Sequence, residues 1–264
     1  MSTIKRFVVC ASIFMATLCL SAVVQAQASF DGTWRTDLSK TSFSPKPILF
    51  YISKGWYHCL SCTPPFDVPA DGQDHAVVGE PYDTIAVTIV DDRTISTKTK
   101  RGDKVIGEQT RKVSDDGKFL KVSSTQHPMN SDKPATFETK ARREGALHPG
   151  AHPTSGRWII MNQQGSDNGL LTTYKVNGDQ VTMTEATGEN YTAKLDGADY
   201  PVKGAYGWDA VSLKRIDDHT IEETDKRDTL VIAVYRMSVA GKTMTVVEHD
   251  KLAGRDSTYF ATKQ

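Results

Sequence analysis

One pattern occurs twice in this sequence, with the second copy about 125 residues after the first. Three pairs of matching segments show it: 71–79 and 196–204, 89–95 and 215–221, 32–34 and 156–158. A repeat of this length has the size of a domain and is too long for a solenoid unit. The sequence therefore predicts two similar domains, 29–143 and 155–264, joined by the Pro- and Gly-containing linker 144–154.

Residues 1–28 have the features of a secretory signal peptide. Lys5 and Arg6 precede a mostly apolar stretch, 7–24, and Ala26-Gln27-Ala28 is a small-residue cleavage site. A membrane anchor is the alternative, but no second apolar span follows in the sequence. The segment predicts a periplasmic or secreted protein without a membrane span.

The balance of charges excludes several classes of partner. Removal of Lys5 and Arg6 with the signal peptide leaves 30 basic against 32 acidic residues, a formal net charge of −2. Both signs are scattered, so there is no basic stripe for nucleic acid and no polybasic patch for anionic lipid. We expect neither nucleic acid nor a membrane surface as a partner, and the sequence does not predict the oligomeric state.

Two cysteines, Cys59 and Cys62, lie outside the signal peptide. In an oxidising compartment, two thiols this close favour a structural disulfide, which closes a short loop and stabilises it by about 2 kcal/mol. A redox-active CxxC motif and a metal site that includes His58 are the alternatives. A redox motif usually needs a helix N-terminus, and a zinc site of this spacing needs a second pair of ligands. We therefore expect a disulfide, no metal and no cofactor.

Alternating apolar and polar residues predict strands throughout both copies. The segments 84–90 and 94–100 alternate with a period of two, and Asp/Gly clusters recur about every ten residues. No twelve-residue segment has a convincing helical period. A meander of eight or nine strands has unpaired edges unless it closes. The predicted fold is therefore all-β, with two tandem antiparallel up-and-down barrels of about eight or nine strands each.

The start of each copy resembles a known family. Phe30-Asp31-Gly32-Thr33-Trp34, repeated as Thr154-Ser155-Gly156-Arg157-Trp158, resembles the G-x-W signature of lipocalins and related calycin barrels. The chain also resembles exported, double-repeat lipocalin-like bacterial proteins of unassigned function. The resemblance implies that each Trp closes one barrel end and packs against a basic residue of the last strand. Arg142 or Arg143 would serve in the first half and Lys263 in the second.

An aromatic segment distinguishes the first copy from the second. Residues 50–58 lead into the cysteines, and the equivalent stretch around 182–191 has neither Trp nor Cys. Aromatic side chains that point into a barrel can bind flat or apolar ligands, although they also fill closed cores. His75 has Tyr200 as its counterpart, so its role is not shared by both copies. The candidate ligand-binding residues are Tyr51, Trp56, Tyr57, His58, His75, Tyr82 and Trp208.

Acidic doublets at 91–92, 115–116 and 217–218 are interpreted as turn residues, because Asp caps its own backbone in hairpin turns. The sequence contains no serine elbow, HExxH, phosphate loop or GxGxxG motif, so catalytic residues are unknown and an enzyme is the weaker hypothesis. The leading hypothesis is an exported protein that binds a small apolar or aromatic molecule. The alternatives are a structural or envelope-interaction protein with filled barrels, and an isomerase- or cyclase-type enzyme for a hydrophobic substrate.

Overall fold

The structure is a computed structural model that describes residues 30–264, so the predicted signal peptide lies outside the described residues. The first ten strands are β1 (Gly32–Ser42), β2 (Ile48–Ser53), β3 (Trp56–Cys59), β4 (Phe66–Pro69), β5 (Asp71–Ala76), β6 (Thr84–Asp91), β7 (Thr94–Arg101), β8 (Lys104–Val113), β9 (Phe119–Gln126) and β10 (Ala135–Glu144). The second ten are β11 (Gly156–Gly165), β12 (Leu171–Asn177), β13 (Gln180–Glu185), β14 (Asn190–Lys194), β15 (Asp196–Lys203), β16 (Ala210–Asp217), β17 (Thr220–Arg227), β18 (Leu230–Ala240), β19 (Thr243–Asp250) and β20 (Arg255–Lys263). A single 3-10 turn, Asp167–Gly169, follows β11.

The prediction of an all-β protein with two antiparallel, barrel-like sheets is confirmed. The predicted number of eight or nine strands per sheet is wrong, because each sheet has ten. The miscount has a local cause. β3 and β4 have only four residues each, which is too short for a period of two to stand out. Within residues 30–264, no helix is long and apolar enough to cross a membrane.

The two halves of the chain exchange their opening strands. One sheet, here called the closed barrel, runs β1-β12-β13-β14-β15-β16-β17-β18-β19-β20 and closes through pairing of β1 with both β12 and β20. The other, here called the first sheet, runs β4-β3-β2-β11-β10-β9-β8-β7-β6-β5, with β11 between β10 and β2. The predicted units 29–143 and 155–264 therefore each contribute their first strand to the other sheet.

The exchange also decides which basic residue packs on each G-x-W tryptophan. Lys263 Nζ lies 5.5 Å from the ring centre of Trp34, and Arg143 Cζ lies 4.2 Å from that of Trp158. Both contacts are within cation–π range. Lys263 and Arg143 thus each stack on the tryptophan of the opposite half, whereas the resemblance implied a partner in the same half.

The glycine of each G-x-W motif is required by these contacts. Gly32 has φ +123° and Gly156 has φ +135°, in a region that side chains with a Cβ rarely adopt. A Cβ at Gly32 would lie 2.6 Å from Lys263 Cε, and one at Gly156 would lie 2.6 Å from Arg143 Nη1. The missing side chain leaves room for the basic residue above the ring.

Arg143 also forms hydrogen bonds that hold the linker segment against the first sheet. Its Nε donates to Gly117 O (2.7 Å), its Nη1 to Ser155 O (2.5 Å) and its Nη2 to Pro153 O (2.6 Å). The guanidinium therefore satisfies three carbonyl groups while its face covers Trp158.

Replacement of this guanidinium is expected to destabilise the protein. We expect Arg143→Ala to lower the free energy of unfolding by about 2 kcal/mol, because three charge-assisted hydrogen bonds and one cation–π contact are lost. Urea denaturation of both variants measures the effect. Arg142→Ala, on the exposed neighbour in the same strand, is the matched control and should change stability by less than about 0.5 kcal/mol. Equal effects of the two variants would contradict the role of Arg143.

The part of the first sheet's interior around Phe50 and Trp158 is filled. Phe50, Tyr57 and Trp158 are fully buried in its core, and the Arg111 guanidinium lies 4.5 Å from the ring centre of Phe50 and donates to the Tyr57 hydroxyl at 3.0 Å. The sulfur atoms of Cys59 and Cys62 lie at disulfide distance, with Cα atoms 5.4 Å apart. The space for a small molecule lies instead in the closed barrel.

Candidate functional site

A cavity of about 700 Å³ extends from the interior of the closed barrel to the neighbouring face of the first sheet. Its apolar part includes Trp34, Met183, Met244 and Val246, which also belong to the barrel core. Trp34 is only 1 % exposed and its indole Nε1 donates to Phe30 O at 2.8 Å. The apolar side chains thus fill part of the barrel, and the remaining volume has the size of a small-molecule site.

Five carboxyl groups line the same cavity. One, Glu189, lies just before β14, and the other four lie on strands of the closed barrel. These four belong to Glu185 at the end of β13, Glu223 and Asp225 on β17, and Glu248 on β19. Glu223 and Asp225 are 6 % and 7 % exposed. They follow Ile221 at intervals of two residues, so β17 points all three side chains into the barrel. The inward row of this strand therefore changes from apolar to acidic along its length.

The strand register places a polar row across four neighbouring strands. Glu223 of β17 pairs with Tyr235 of β18, Tyr235 pairs with Glu248 of β19, and Glu248 pairs with Ser257 of β20. All four side chains line the cavity. Antiparallel pairing thus brings together residues that are far apart in sequence.

Hydroxyl groups supply most of the hydrogen bonds to these carboxyls. The Tyr191 hydroxyl donates to Glu223 Oε2 at 2.6 Å, and the Thr172 hydroxyl lies 3.0 Å and 3.1 Å from the two Glu185 oxygens. The Tyr235 hydroxyl lies 3.4 Å from Glu248 Oε1. In contrast, Asp225 Oδ1 is buried and accepts no hydrogen bond from an N–H or hydroxyl group within residues 30–264, although the Asp225 carboxyl interacts with that of Glu223. A buried, unpartnered carboxyl oxygen is uncommon in folded proteins.

No basic side chain balances this group of acids. The residues described as lining the cavity include no Lys or Arg, and none of the five carboxyls forms an ion pair within residues 30–264. The lining contains one histidine, His127 from the segment after β9, whose Nε2 lies 3.2 Å from Glu108 Oε2. The wall is therefore acidic on the barrel side.

Burial shifts the protonation of these carboxyls. It raises the pKa of Glu185 to about 8. The Glu189 charge also raises this pKa, whereas the hydrogen bond from Thr172 lowers it. Burial also raises the pKa of Asp225 and of Glu223, and the charge of Glu223 and a hydrogen bond with it raise the pKa of Asp225 further. The pKa of Glu248 is raised by burial and by Asp250. These carboxyls therefore retain protons near neutral pH, because burial disfavours the ionised form and the described lining includes no Lys or Arg as a counter-charge.

Aromatic rings form much of the remaining wall. Tyr174, Tyr235, Tyr259 and Trp208 line the cavity, and Trp208 packs edge-on against Tyr191 with ring centroids 6.1 Å apart. On the side of the first sheet, Tyr82, Ile106 and Phe137 complete the lining. The cavity thus combines flat apolar surfaces with a few polar groups, as ligand sites commonly do.

Two of the seven ligand-site residues predicted from the sequence, Tyr82 and Trp208, line this cavity. Tyr57 lies in the filled core of the first sheet. Trp56 is 48 % exposed, and Tyr51 packs edge-on against His148 at 6.2 Å between ring centres. The structure therefore does not bring the aromatic segment 50–58 to the cavity.

The two predicted histidines pair with nearby carboxyls at the surface. His58 Nδ1 lies 2.7 Å from Asp67 Oδ1, and His75 Nε2 lies 2.8 Å from Asp71 Oδ1. The acidic doublets act in turns, as predicted from the sequence: in each of the three, one Asp side chain accepts a hydrogen bond from the backbone N–H two residues on.

The acidic residues of the cavity were missed in the sequence analysis, although a signal for Glu223 and Asp225 exists. The strand 220–227, TIEETDKR, matches 94–101, TISTKTKR, of the first half. At the inward positions, Glu223 and Asp225 replace Thr97 and Thr99. An acidic residue on an alternating strand usually faces solvent, so alternation alone does not mark these two positions as part of a site. Comparison of the inward positions of the two halves would have revealed the difference.

The arrangement can hold a small molecule and can retain or release protons at its wall. Within residues 30–264, no three His, Cys, Asp or Glu side chains are placed to hold a metal ion. Comparison of the chain with protein-family models, with curated proteins and with solved structures finds no match.

Proposed function

We propose that this protein binds a small molecule with an apolar or aromatic body inside the closed barrel. The observation that carries the proposal is the cavity of about 700 Å³, which lies between an apolar barrel core and a wall rich in tyrosine. Small-molecule sites have volumes of this order and this mixture of apolar surface with few polar groups. Tyr82 and Trp208 are the two residues that both the sequence pattern and the cavity lining favour.

The proposal includes export and a lipocalin-like architecture. The signal-peptide pattern of residues 1–28 and the Cys59–Cys62 pair support a periplasmic or secreted location. The stacking of Lys263 and Arg143 on the G-x-W tryptophans supports the resemblance to calycin barrels, with the first strands exchanged between two barrels. In this proposal the closed barrel carries the ligand and the first sheet is its support.

Binding of a neutral fluorescent probe tests the proposal. We expect N-phenyl-1-naphthylamine to bind with one site per chain, seen as a saturable rise in its fluorescence. Ser257→Phe places a ring in the cavity, so it should weaken probe binding by at least about tenfold.

Thr258→Phe is the matched control for this experiment. Ser257 and Tyr259 line the cavity, so the intervening Thr258 points away from it. The control variant should bind the probe as the unaltered protein does. The proposal fails if the probe does not saturate, or if Ser257→Phe and Thr258→Phe bind it equally well.

A second function, isomerase- or cyclase-type catalysis, is favoured by one observation. Glu223 accepts a hydrogen bond from Tyr191 and interacts with Asp225, so the cavity wall holds a proton on a buried acid pair. Such a pair can act as a general acid towards a bound substrate. Turnover that is lost in Asp225→Asn while probe binding persists would favour this function over simple binding.

A further inference from the structure

The acidic wall of the closed barrel has no charge partner within the described part of the chain. Glu223 and Asp225 are more than nine-tenths buried, and Glu185 and Glu248 face the same cavity. Carboxyls that share one cavity can ionise together only if a positive charge joins them, because each desolvated anion repels the others. The chain itself supplies no Lys or Arg to the described lining.

The Asp225 side chain gives a second indication of a ligand with a positive charge or an N–H donor. Asp225 is 7 % exposed, its side chain lines the cavity beside the Glu223 carboxyl, and its Oδ1 atom accepts no hydrogen bond from an N–H or hydroxyl group within residues 30–264. A buried acceptor without a donor costs about 1–3 kcal/mol, more if it is charged. A ligand with an N–H donor or a positive charge would remove this cost.

The aromatic residues of the cavity wall favour an ammonium group over a metal ion. Tyr174, Tyr235, Tyr259 and Trp208 present rings to the cavity, and such rings attract ammonium groups over their faces. A metal ion is disfavoured, because within residues 30–264 no three potential ligands are placed around one point. The volume of about 700 Å³ is also far larger than a metal ion needs.

We propose that the ligand of the closed barrel carries a positive charge, as a quaternary or protonated ammonium group on an aromatic or aliphatic body. This inference rests on the proposed function of the cavity. The ammonium group lies between β17 and β19, against Asp225, Glu223 and Glu248. The body of the ligand extends towards Trp208 and the apolar core.

Entry of a cation displaces protons from the wall. The carboxyls that face the β17 pair are Glu185, Glu189 and Glu248, and the phenols that face it are Tyr174, Tyr191, Tyr235 and Tyr259. His127, Tyr82 and Tyr206 lie on the side of the first sheet. Because the carboxyls are held protonated when the site is empty, a cation binds best where they ionise. Affinity for a permanently charged cation therefore rises with pH, by about tenfold per pH unit for each proton released.

A pair of isosteric ligands tests the inference. Phenyltrimethylammonium and tert-butylbenzene have the same shape and differ in one positive charge, and both can displace N-phenyl-1-naphthylamine. We expect the cation to bind at least about tenfold more tightly than the neutral isostere near pH 8. Its affinity should decrease towards pH 6, while that of the isostere should not change. Calorimetry in buffers of different ionisation enthalpy should show that cation binding releases protons.

Charge-neutral variants show which carboxyl groups cause the preference for the cation. Glu223→Gln and Asp225→Asn should each reduce the preference for the cation by about tenfold or more and leave tert-butylbenzene binding unchanged. Glu222→Gln, on the outward neighbour of Glu223, is the matched control and should keep the preference. The wild-type pH dependence and proton release carry the test if a variant fails to fold.

The outcomes separate this inference from the proposed function. If tert-butylbenzene binds as tightly as the cation at both pH values, the positive charge is refuted and the cavity remains a binding site. If neither isostere nor the naphthylamine probe binds, the proposed function fails and the inference fails with it.

Discussion

Residues 166–264, which contain β12–β20 of the closed barrel but neither β1 nor β11, are expected not to form the barrel when expressed alone. This fragment lacks β1, which pairs with β12 on one side and β20 on the other. Its absence leaves two unpaired strand edges and removes Trp34 from the core. We expect an aggregation-prone fragment without a cooperative unfolding transition, measured by thermal circular dichroism and size-exclusion chromatography. A synthetic peptide of residues 30–43 should restore the transition when it is added to the fragment.

A permuted chain provides the matched control. Trp34 pairs with Lys263, so the start of β1 lies beside the end of β20. A short Gly/Ser linker can therefore join residue 264 to residues 30–43. This permuted fragment should fold as a monomer with a cooperative transition. If residues 166–264 alone unfold as cooperatively as the permuted fragment, β1 is not required for the closed barrel.

The stability of the protein is expected to fall as the pH rises through neutrality. A carboxyl whose pKa is raised by folding binds more protons in the folded than in the unfolded state, so it stabilises the fold below its unfolded pKa. This contribution is lost as the pH rises through the folded pKa. For Glu185 the window runs from the ordinary value of 4.5 to about 8, and Glu223, Asp225 and Glu248 shift in the same direction. We expect the free energy of unfolding to decrease by about 3 kcal/mol between about pH 5 and about pH 8.5, measured by urea denaturation.

Substitution by neutral isosteres identifies the carboxyl groups that cause the pH dependence of stability. Glu185→Gln and Asp225→Asn should flatten the pH profile and be more stable than the unaltered protein near pH 8.5. Glu222→Gln, which points out of the barrel on the same strand as Asp225, should keep the original slope. Stability that is independent of pH in the unaltered protein, or an equal response of all three variants, would argue against buried acids as the cause.

Local patterns in the sequence were sufficient for the fold class. Period-two segments such as 84–90 and the Asp turns at 91–92 predicted hairpins, and the structure has strands and turns there. The exchange of β1 and β11 could not be predicted in this way. Both strands begin with G-x-W, so each satisfies the local requirements of either sheet. The choice between the sheets depends on contacts between distant segments, such as Trp34 with Lys263.

The cavity was harder to predict from the sequence than the fold was. Aromatic residues near 50–58 suggested a ligand site, but Tyr57 fills a core together with Arg111. Glu223 and Asp225 were not identified from the sequence, because alternation alone does not show which face of a strand is inward. The deciding fact is that Ile221 of the same strand is buried, and burial depends on the whole barrel.

The exchanged first strand also has a consequence for the order in which the protein folds. During synthesis β1 is made before any other strand of the closed barrel, whereas its partner strand β20 is made after all the others. The closed barrel therefore has a high contact order, which predicts slow folding compared with a simple meander. The first sheet can complete its pairing once β11 has been made. We therefore infer that the supporting sheet forms first and that the ligand cavity is the last part of the molecule to take shape.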